Sequence, residues 1–161
     1  MDNKELIAHF FNAFARLDHE EMNNCLSSEV MFSEPLFGIL QGDDVSNLNR
    51  MKCARLKDFK LKVQQVEELD DEYLTCSWVV DYCHADTGSR VVMPIKSFLR
   101  VIDGKITEYS DAYRLSTWLA KVHGVTGVLF GWTGTMKKRA MKKYAVRLAN
   151  FGSGDNALPK P

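Results

Sequence analysis

The chain has 161 residues, 45% of them hydrophobic and 26% charged, and its 21 Lys/Arg balance 21 Asp/Glu. That length and composition fit one globular domain able to bury a single core, and no apolar run approaches the roughly 20 residues of a membrane span. The opening Met1-Asp2-Asn3-Lys4-Glu5 is too polar for a secretory leader, so a soluble cytoplasmic protein is expected.

The first element is a helix over residues 3–16, where Leu6, Ile7, Phe10, Phe11 and Phe14 recur at helical spacing and form one wide apolar face. A short helix follows over residues 18–26, with Asp18 as N-cap and Glu21 three residues on. Residues 30–37 read as a short strand broken at Glu34-Pro35, and Gly42-Asp43-Asp44 opens a helix over residues 45–56 with its acids at the positive end. Strands are expected over residues 59–68, 72–84, 90–102 and 105–114. Asp103-Gly104 between the last two is a hairpin signal, because both residues tolerate the positive φ of a type I′ turn. A short helix over residues 116–123, a Gly-rich bend and a last helix over residues 136–150, capped by Thr135, complete the pattern.

Helices followed by a run of antiparallel strands imply an α+β fold with the helices on one face of the sheet. Three helices in the hollow of a curved sheet leave a cavity at its wide end. Residues 1–123 are expected to form the domain, 124–151 a linker and basic helix packed on it, and 152–161 a disordered tail.

Charge is unevenly spread. Residues 1–131 carry 14 Lys/Arg against 20 Asp/Glu, and residues 132–161 carry 7 against 1. The basic excess lies in Lys137, Lys138, Arg139, Lys142, Lys143 and Arg147. It is read as the solvated face of an amphipathic helix resting on its own acidic body, rather than as a nucleic-acid or membrane contact. Cys25, Cys53, Cys76 and Cys83 show no zinc-like spacing, and His9, His19, His84 and His123 are scattered, so neither metal nor cofactor is expected. A phosphate loop and a nucleophile elbow are both missing from the sequence.

With Asp103-Gly104 as a two-residue turn, Ile102 faces Lys105, and counting back sets Lys96 opposite Asp111, Phe98 opposite Tyr109 and Arg100 opposite Thr107. These residues and Tyr113 would then share one face. Two readings stay open for Lys96 and Asp111: an exposed cross-strand pair worth about 0.2–1 kcal/mol, or a desolvated pair inside the cavity, where titration is perturbed and useful. The loop over residues 85–89 would bring Trp78 beside Lys96 for a cation–π contact.

Ile7-Ala-His-Phe-Phe-Asn-Ala-Phe14, Met31-Phe-Ser-Glu-Pro-Leu-Phe-Gly38, Val91-Val-Met-Pro-Ile-Lys-Ser-Phe98 and Gly104-Lys-Ile-Thr-Glu-Tyr-Ser-Asp-Ala-Tyr113, with Trp118 after them, resemble nuclear transport factor 2-like (SnoaL-like) proteins over residues 3–123. The resemblance implies a cone-shaped α+β barrel, a strongly curved antiparallel sheet holding N-terminal helices in its concave face, here with a C-terminal helical extension. It also implies a homodimer through the outer sheet face. The group spans ketosteroid isomerases, polyketide cyclases, epoxide hydrolases, dehydratases and non-catalytic carriers, so fold alone does not give function.

Set against the ketosteroid isomerase pattern, the resemblance puts the general-base carboxylate on Glu34 and the oxyanion tyrosine on Phe10, which has no hydroxyl. The position of the protonated aspartic acid falls on Lys96. The late-strand acid of the cyclase and hydrolase branches falls on Asp111. The sequence thus points to a pocket for a small apolar molecule. Glu34, Asp111 and Lys96 would do acid–base work, and Phe10, Phe14, Phe32, Trp78, Phe98, Tyr109 and Tyr113 would line the wall. A ligand carrier without chemistry and a dimeric interaction module are the alternatives, and nucleic acid is the least expected partner.

Overall fold

The computed structural model describes residues 1–154. Its helices are α1 (Asn3–Ala15), α2 (His19–Asn24), α3 (Asp43–Arg55), α4 (Leu115–Phe130) and α5 (Gly134–Gly152). Its strands are β1 (Leu26–Glu34), β2 (Gly38–Gln41), β3 (Lys57–Glu68), β4 (Tyr73–Cys83), β5 (Arg90–Ile102) and β6 (Lys105–Ala112). Most expected elements are present, but the strand expected over residues 30–37 is β1, which starts at Leu26 where the second helix was expected to end and stops at Glu34, and β2 was not expected. α4 runs well past residue 123 and α5 begins earlier, capped by Thr133 rather than Thr135. The expected tail starts in helix, since α5 reaches Gly152, and residues 155–161 lie outside the described residues.

The strands form one curved α+β sheet in the order β2-β1-β6-β5-β4-β3, which does not close on itself. All neighbours are antiparallel except β1 and β6, which run parallel. The inner face of β5 is a strict alternation of buried Val91, Met93, Ile95, Ser97, Leu99 and Val101, as the two-residue strand period requires.

α1 fills the hollow because its start is fixed and one side is apolar. Asp2 and Glu5 form a complete capping box, satisfying amide groups that the helix itself cannot. Leu6, Ile7, Phe10, Phe11 and Phe14 are all buried. Phe10 meets Tyr109 edge-on at 5.4 Å, and Phe11 and Phe14 pack on Trp78 at 5.4 and 5.9 Å. Each buried aromatic of this kind contributes about 1.5–3 kcal/mol from area alone.

The turn at Asp103-Gly104 is as expected, with φ of 50° and 70°, but the ladder beyond it is not. Ile102 pairs with Lys105 and Val101 with Ile106, after which the register slips: Arg100 faces Glu108, Leu99 faces Tyr109, Ser97 faces Asp111, and Lys96 faces Ala112. Thr107 is the extra residue of a β-bulge, its hydroxyl bonded to the Arg100 carbonyl at 3.3 Å. A bulge turns every later side chain to the other face. The expected pairings of Lys96 with Asp111, Phe98 with Tyr109 and Arg100 with Thr107 are therefore corrected by one residue.

α5 is held to the body by a clasp. Asp86, in the loop after β4, receives Arg55 of α3 at 2.7 Å and Lys143 and Arg147 of α5 at 3.0 and 2.8 Å. Tyr144 adds a 2.6 Å hydrogen bond to His84, and Leu148 is buried.

Candidate functional site

Below the aromatic core of α1 the hollow of the sheet opens into a cavity of about 140 Å³. Apolar wall comes from Phe14, Met51, Trp78, Met93 and Ile95, and the polar groups are Glu34, Lys52, Asp111, Tyr82 and Tyr113, with Arg55, His84, Tyr144 and Arg147 towards α5.

Asp111 enters the cavity because of the bulge. Were β6 regular from the turn, Asp111 would point outward; the extra residue at Thr107 turns it inward beside Tyr109. Its carboxylate is the acceptor of a buried chain. Trp78 Nε1 donates to Ser97 Oγ at 2.8 Å, Ser97 Oγ donates to Asp111 Oδ1 at 2.6 Å, and the Tyr109 hydroxyl donates to Oδ2 at 3.0 Å. Burial pushes the Asp111 carboxyl up to about 6, against the opposing charge of Lys52 and the bonds from Ser97 and Tyr109, while the charge of Glu34 adds to the rise.

Glu34 closes β1 just before Pro35, where the proline ends the ladder, and its side chain is only 5% exposed. Lys52 of α3 reaches it at 3.6 Å and lies 5.1 Å from the centre of the Phe32 ring. The Tyr113 hydroxyl donates to Glu34 Oε2 at 3.4 Å. Burial, with Glu34 beside it, lifts the Tyr113 phenol well above its ordinary range, so it stays a donor at neutral pH. At the α5 side, burial lowers the His84 imidazole to about 4 despite the nearby Asp86 carboxylate.

Of the residues expected at the site, Glu34, Asp111, Phe14, Trp78 and Tyr113 line this one cavity. Phe10, Phe32 and Tyr109 sit in the core behind it. Lys96 and Phe98 do not belong to it: both stand on the outer face, Lys96 exposed and 5.6 Å from the Phe98 ring centre. The expected cation–π contact of Trp78 with Lys96 is likewise replaced, since Trp78 pairs with Ile95 and binds Ser97.

Among the polar residues that the sequence reading did not expect at the site are Lys52, on the cavity wall, and Ser97, bonded to Asp111. Ser97 carried a signal, being the one polar residue in the inward alternation of β5. The bulge had one too: Ile106 and Tyr109 are three apart, so one regular strand cannot bury both. Lys52 had none, because a lysine on an amphipathic helix reads as solvated until the facing strand is known.

Residues 7–109, more than half of the chain, match the family model described as the SnoaL-like domain. Three solved structures illustrate the fold. A Catenulispora acidiphila protein with a ketosteroid isomerase-like fold, solved with trimethylamine, is 15% identical, with a TM-score of 0.66 over 76% of this chain and 95% of that one. A putative polyketide cyclase of Pseudomonas putida is 17% identical, with a TM-score of 0.66 over 76% and 98%. An epoxide hydrolase of M. tuberculosis resembling limonene epoxide hydrolases is 17% identical, with a TM-score of 0.63 over 79% and 94%. Identities this low speak for the fold alone. A comparison with curated proteins gives no match.

Proposed function

This chain belongs to the SnoaL-like domain family, and from that premise we propose that its cavity is the active site of a proton-transfer enzyme. The substrate would be a small, mostly apolar molecule bearing a carbonyl. The observation that carries this reading is Asp111: a buried carboxyl at about 6 on the wall of an apolar cavity, with a lysine and a second carboxylate lining the same space. A general base works best with its pKa near the working pH, and perturbed groups in a cleft are how such bases are recognised.

Asp111 takes a proton from the carbon next to the substrate carbonyl. The electron pair moves onto the carbonyl oxygen, and Lys52 with the Tyr113 phenol stabilises the enolate where little water can screen it. Glu34 positions both donors. Asp111 then returns the proton to the far carbon of a C=C conjugated with the enolate, which isomerises the substrate, or the enolate attacks a second carbonyl and Asp111 gives its proton to the alkoxide so formed, which closes a ring. Ser97 and Tyr109 hold the carboxylate in its orientation.

One observation favours a carrier instead: both Asp111 oxygens already accept hydrogen bonds from protein groups. Either way we propose pairing of two copies through the outer sheet face, where Met31, Val92 and Phe98 are exposed. The deciding test is α-proton exchange of small cyclic ketones in deuterium oxide, followed by NMR. Exchange faster than buffer with the wild type, lost in Asp111→Asn while the ketone still binds, supports the enzyme. Ketones that bind without accelerated exchange leave the carrier.

A further inference from the structure

The α4–α5 hairpin presents apolar side chains to water in a way that the rest of the molecule does not. Val125, Val128, Leu129 and Phe130 are each more than half exposed, and Trp132 is 71% exposed. The other two tryptophans, Trp78 and Trp118, are 3% and 6% exposed. Solvated apolar residues are common singly, but five large ones within eight positions form a patch that calls for a partner.

The patch sits on a built framework. At Gly124 the helix breaks, with φ 56° and ψ −130°, and the following turn folds back on the one before it. Gly127 packs so closely there that a Cβ would lie 2.1 Å from the Leu119 carbonyl oxygen. Trp132 Nε1 donates to the Leu129 carbonyl at 2.8 Å, and Thr133 caps α5 by accepting from the Met136 amide. The apolar side chains are thus pointed outward by a folded turn.

Charge identifies the partner. Residues 112–154 contain no Asp or Glu and eight Lys or Arg: Arg114, Lys121, Lys137, Lys138, Arg139, Lys142, Lys143 and Arg147. Lys143 and Arg147 are used by the Asp86 clasp. Lys138, Arg139 and Lys142 are exposed and begin within the first turns of α5, about 6–12 Å along the helix from its start beside the apolar tip. An apolar tip with a basic collar matches the boundary between the acyl chains and headgroups of an anionic bilayer.

We propose that the α4–α5 hairpin docks on anionic membrane surfaces, with Leu129, Phe130 and Trp132 entering the headgroup–acyl boundary and Lys138, Arg139 and Lys142 resting on lipid phosphates. No helix among the described residues is long and apolar enough to cross a membrane, so this is attachment to one face. The proposal is independent of the chemistry proposed for the cavity.

The test is co-sedimentation of the full chain with phosphatidylglycerol/phosphatidylcholine vesicles, together with Trp132 fluorescence. The expected result is binding to the anionic vesicles with a blue shift of the exposed tryptophan, and loss of binding on pure phosphatidylcholine or in high salt. Lys138→Glu, Arg139→Glu and Lys142→Glu combined should weaken partition about 100-fold or more, and Trp132→Ser with Leu129→Ser about tenfold, with the buried Trp78 and Trp118 emission reporting that both variants remain folded. Four outcomes overturn the proposal: the chain remaining in the supernatant with anionic vesicles, vesicle binding untouched by the charge reversals, burial of Trp132 in a concentration-dependent dimer without lipid, and duplex DNA binding that persists in the apolar double variant without any vesicle binding.

Discussion

Two aspartates near the two ends of the same cavity behave in opposite ways. Asp111, on the inner wall, accepts only neutral hydrogen-bond donors and is buried, and its carboxyl rises to about 6. Asp86, where the body meets α5, would also be raised by burial, but hydrogen bonds from Arg147 and Lys143 outweigh that and hold it well below the usual carboxylate range. The same side chain is thus a permanent anion at the clasp and a titrating group on the wall. Environment assigns the roles: three cations make Asp86 a tie between α3, α5 and the β4–β5 loop, whereas desolvation makes Asp111 a group able to take and release a proton.

The sharpest break in this comparison is chemical. If Asp111 is the base, Asp111→Asn should lower ketone proton exchange by about 10²–10⁴-fold, and the wild-type rate should fall with an acid limb centred near pH 6. Asp86→Asn should leave that limb where it is. Measuring the exchange rate between pH 4.5 and 8 for all three proteins decides it.

The same pair should separate in stability, with opposite signs. Asp111 is raised in the folded state, so its contribution is fully present below the ordinary carboxylate range and is lost as pH rises through about 6. Asp111→Asn should therefore stabilise the protein at pH 8 by up to about 3 kcal/mol and confer nothing near pH 3.5. Asp86→Asn should cost about 1–3 kcal/mol at neutral pH, since it weakens hydrogen bonds to three cations. Urea titrations at the two pH values test both, and a destabilised Asp111→Asn at pH 8 would remove the case for a strained, functional carboxyl.

His84 sharpens the clasp side further. Its imidazole is lowered to about 4, so the stability it contributes is present above the ordinary histidine range and is lost as pH falls through about 4. In wild type this loss runs against the gain from Asp111 over the same interval. With Asp111→Asn the opposing gain is gone, and Tm should drop more steeply between pH 6.5 and 4. Adding His84→Gln should flatten that drop by about 1–3 kcal/mol, read by thermal melts across the interval.

What the sequence revealed, and what it hid, follows the same division between local and non-local causes. Helix α1, the Asp18 cap of α2 and the Asp103-Gly104 turn are local signals, and the structure repeats them. The SnoaL-like family was legible from the order of several weak motifs. The carboxylates that line the cavity were legible, but the lysine that lines it with them was not, because one inserted residue at Thr107 decides which face β6 presents beyond that point. Counting from the turn without the bulge made Lys96 the partner of Asp111, whereas the ladder sets Ser97 there and leaves the cation to α3. The exposed hairpin escaped for a related reason: residues 124–131 read as a Gly-rich bend, whereas α4 continues past the fold-back at Gly124 and turns Val125, Val128 and Leu129 to water.

The smallest expected effect is the most direct check of the corrected register. Lys96 is exposed on the outer face opposite Ala112, and its nearby aromatic is Phe98 on the same strand. Lys96→Ala should change stability by no more than about 0.5 kcal/mol and leave ketone exchange and its pH limb unchanged. Lys52→Met, by contrast, removes the cation that faces Glu34 at 3.6 Å and whose charge opposes the rise of Asp111. It should move the acid limb upward and slow exchange by about 10- to 1,000-fold, the range for loss of one donor to a developing oxyanion. If Lys96→Ala moved the limb and Lys52→Met did not, β6 would have to pair without its bulge, and Asp111 would face Lys96 on the outer side of the sheet rather than line the cavity.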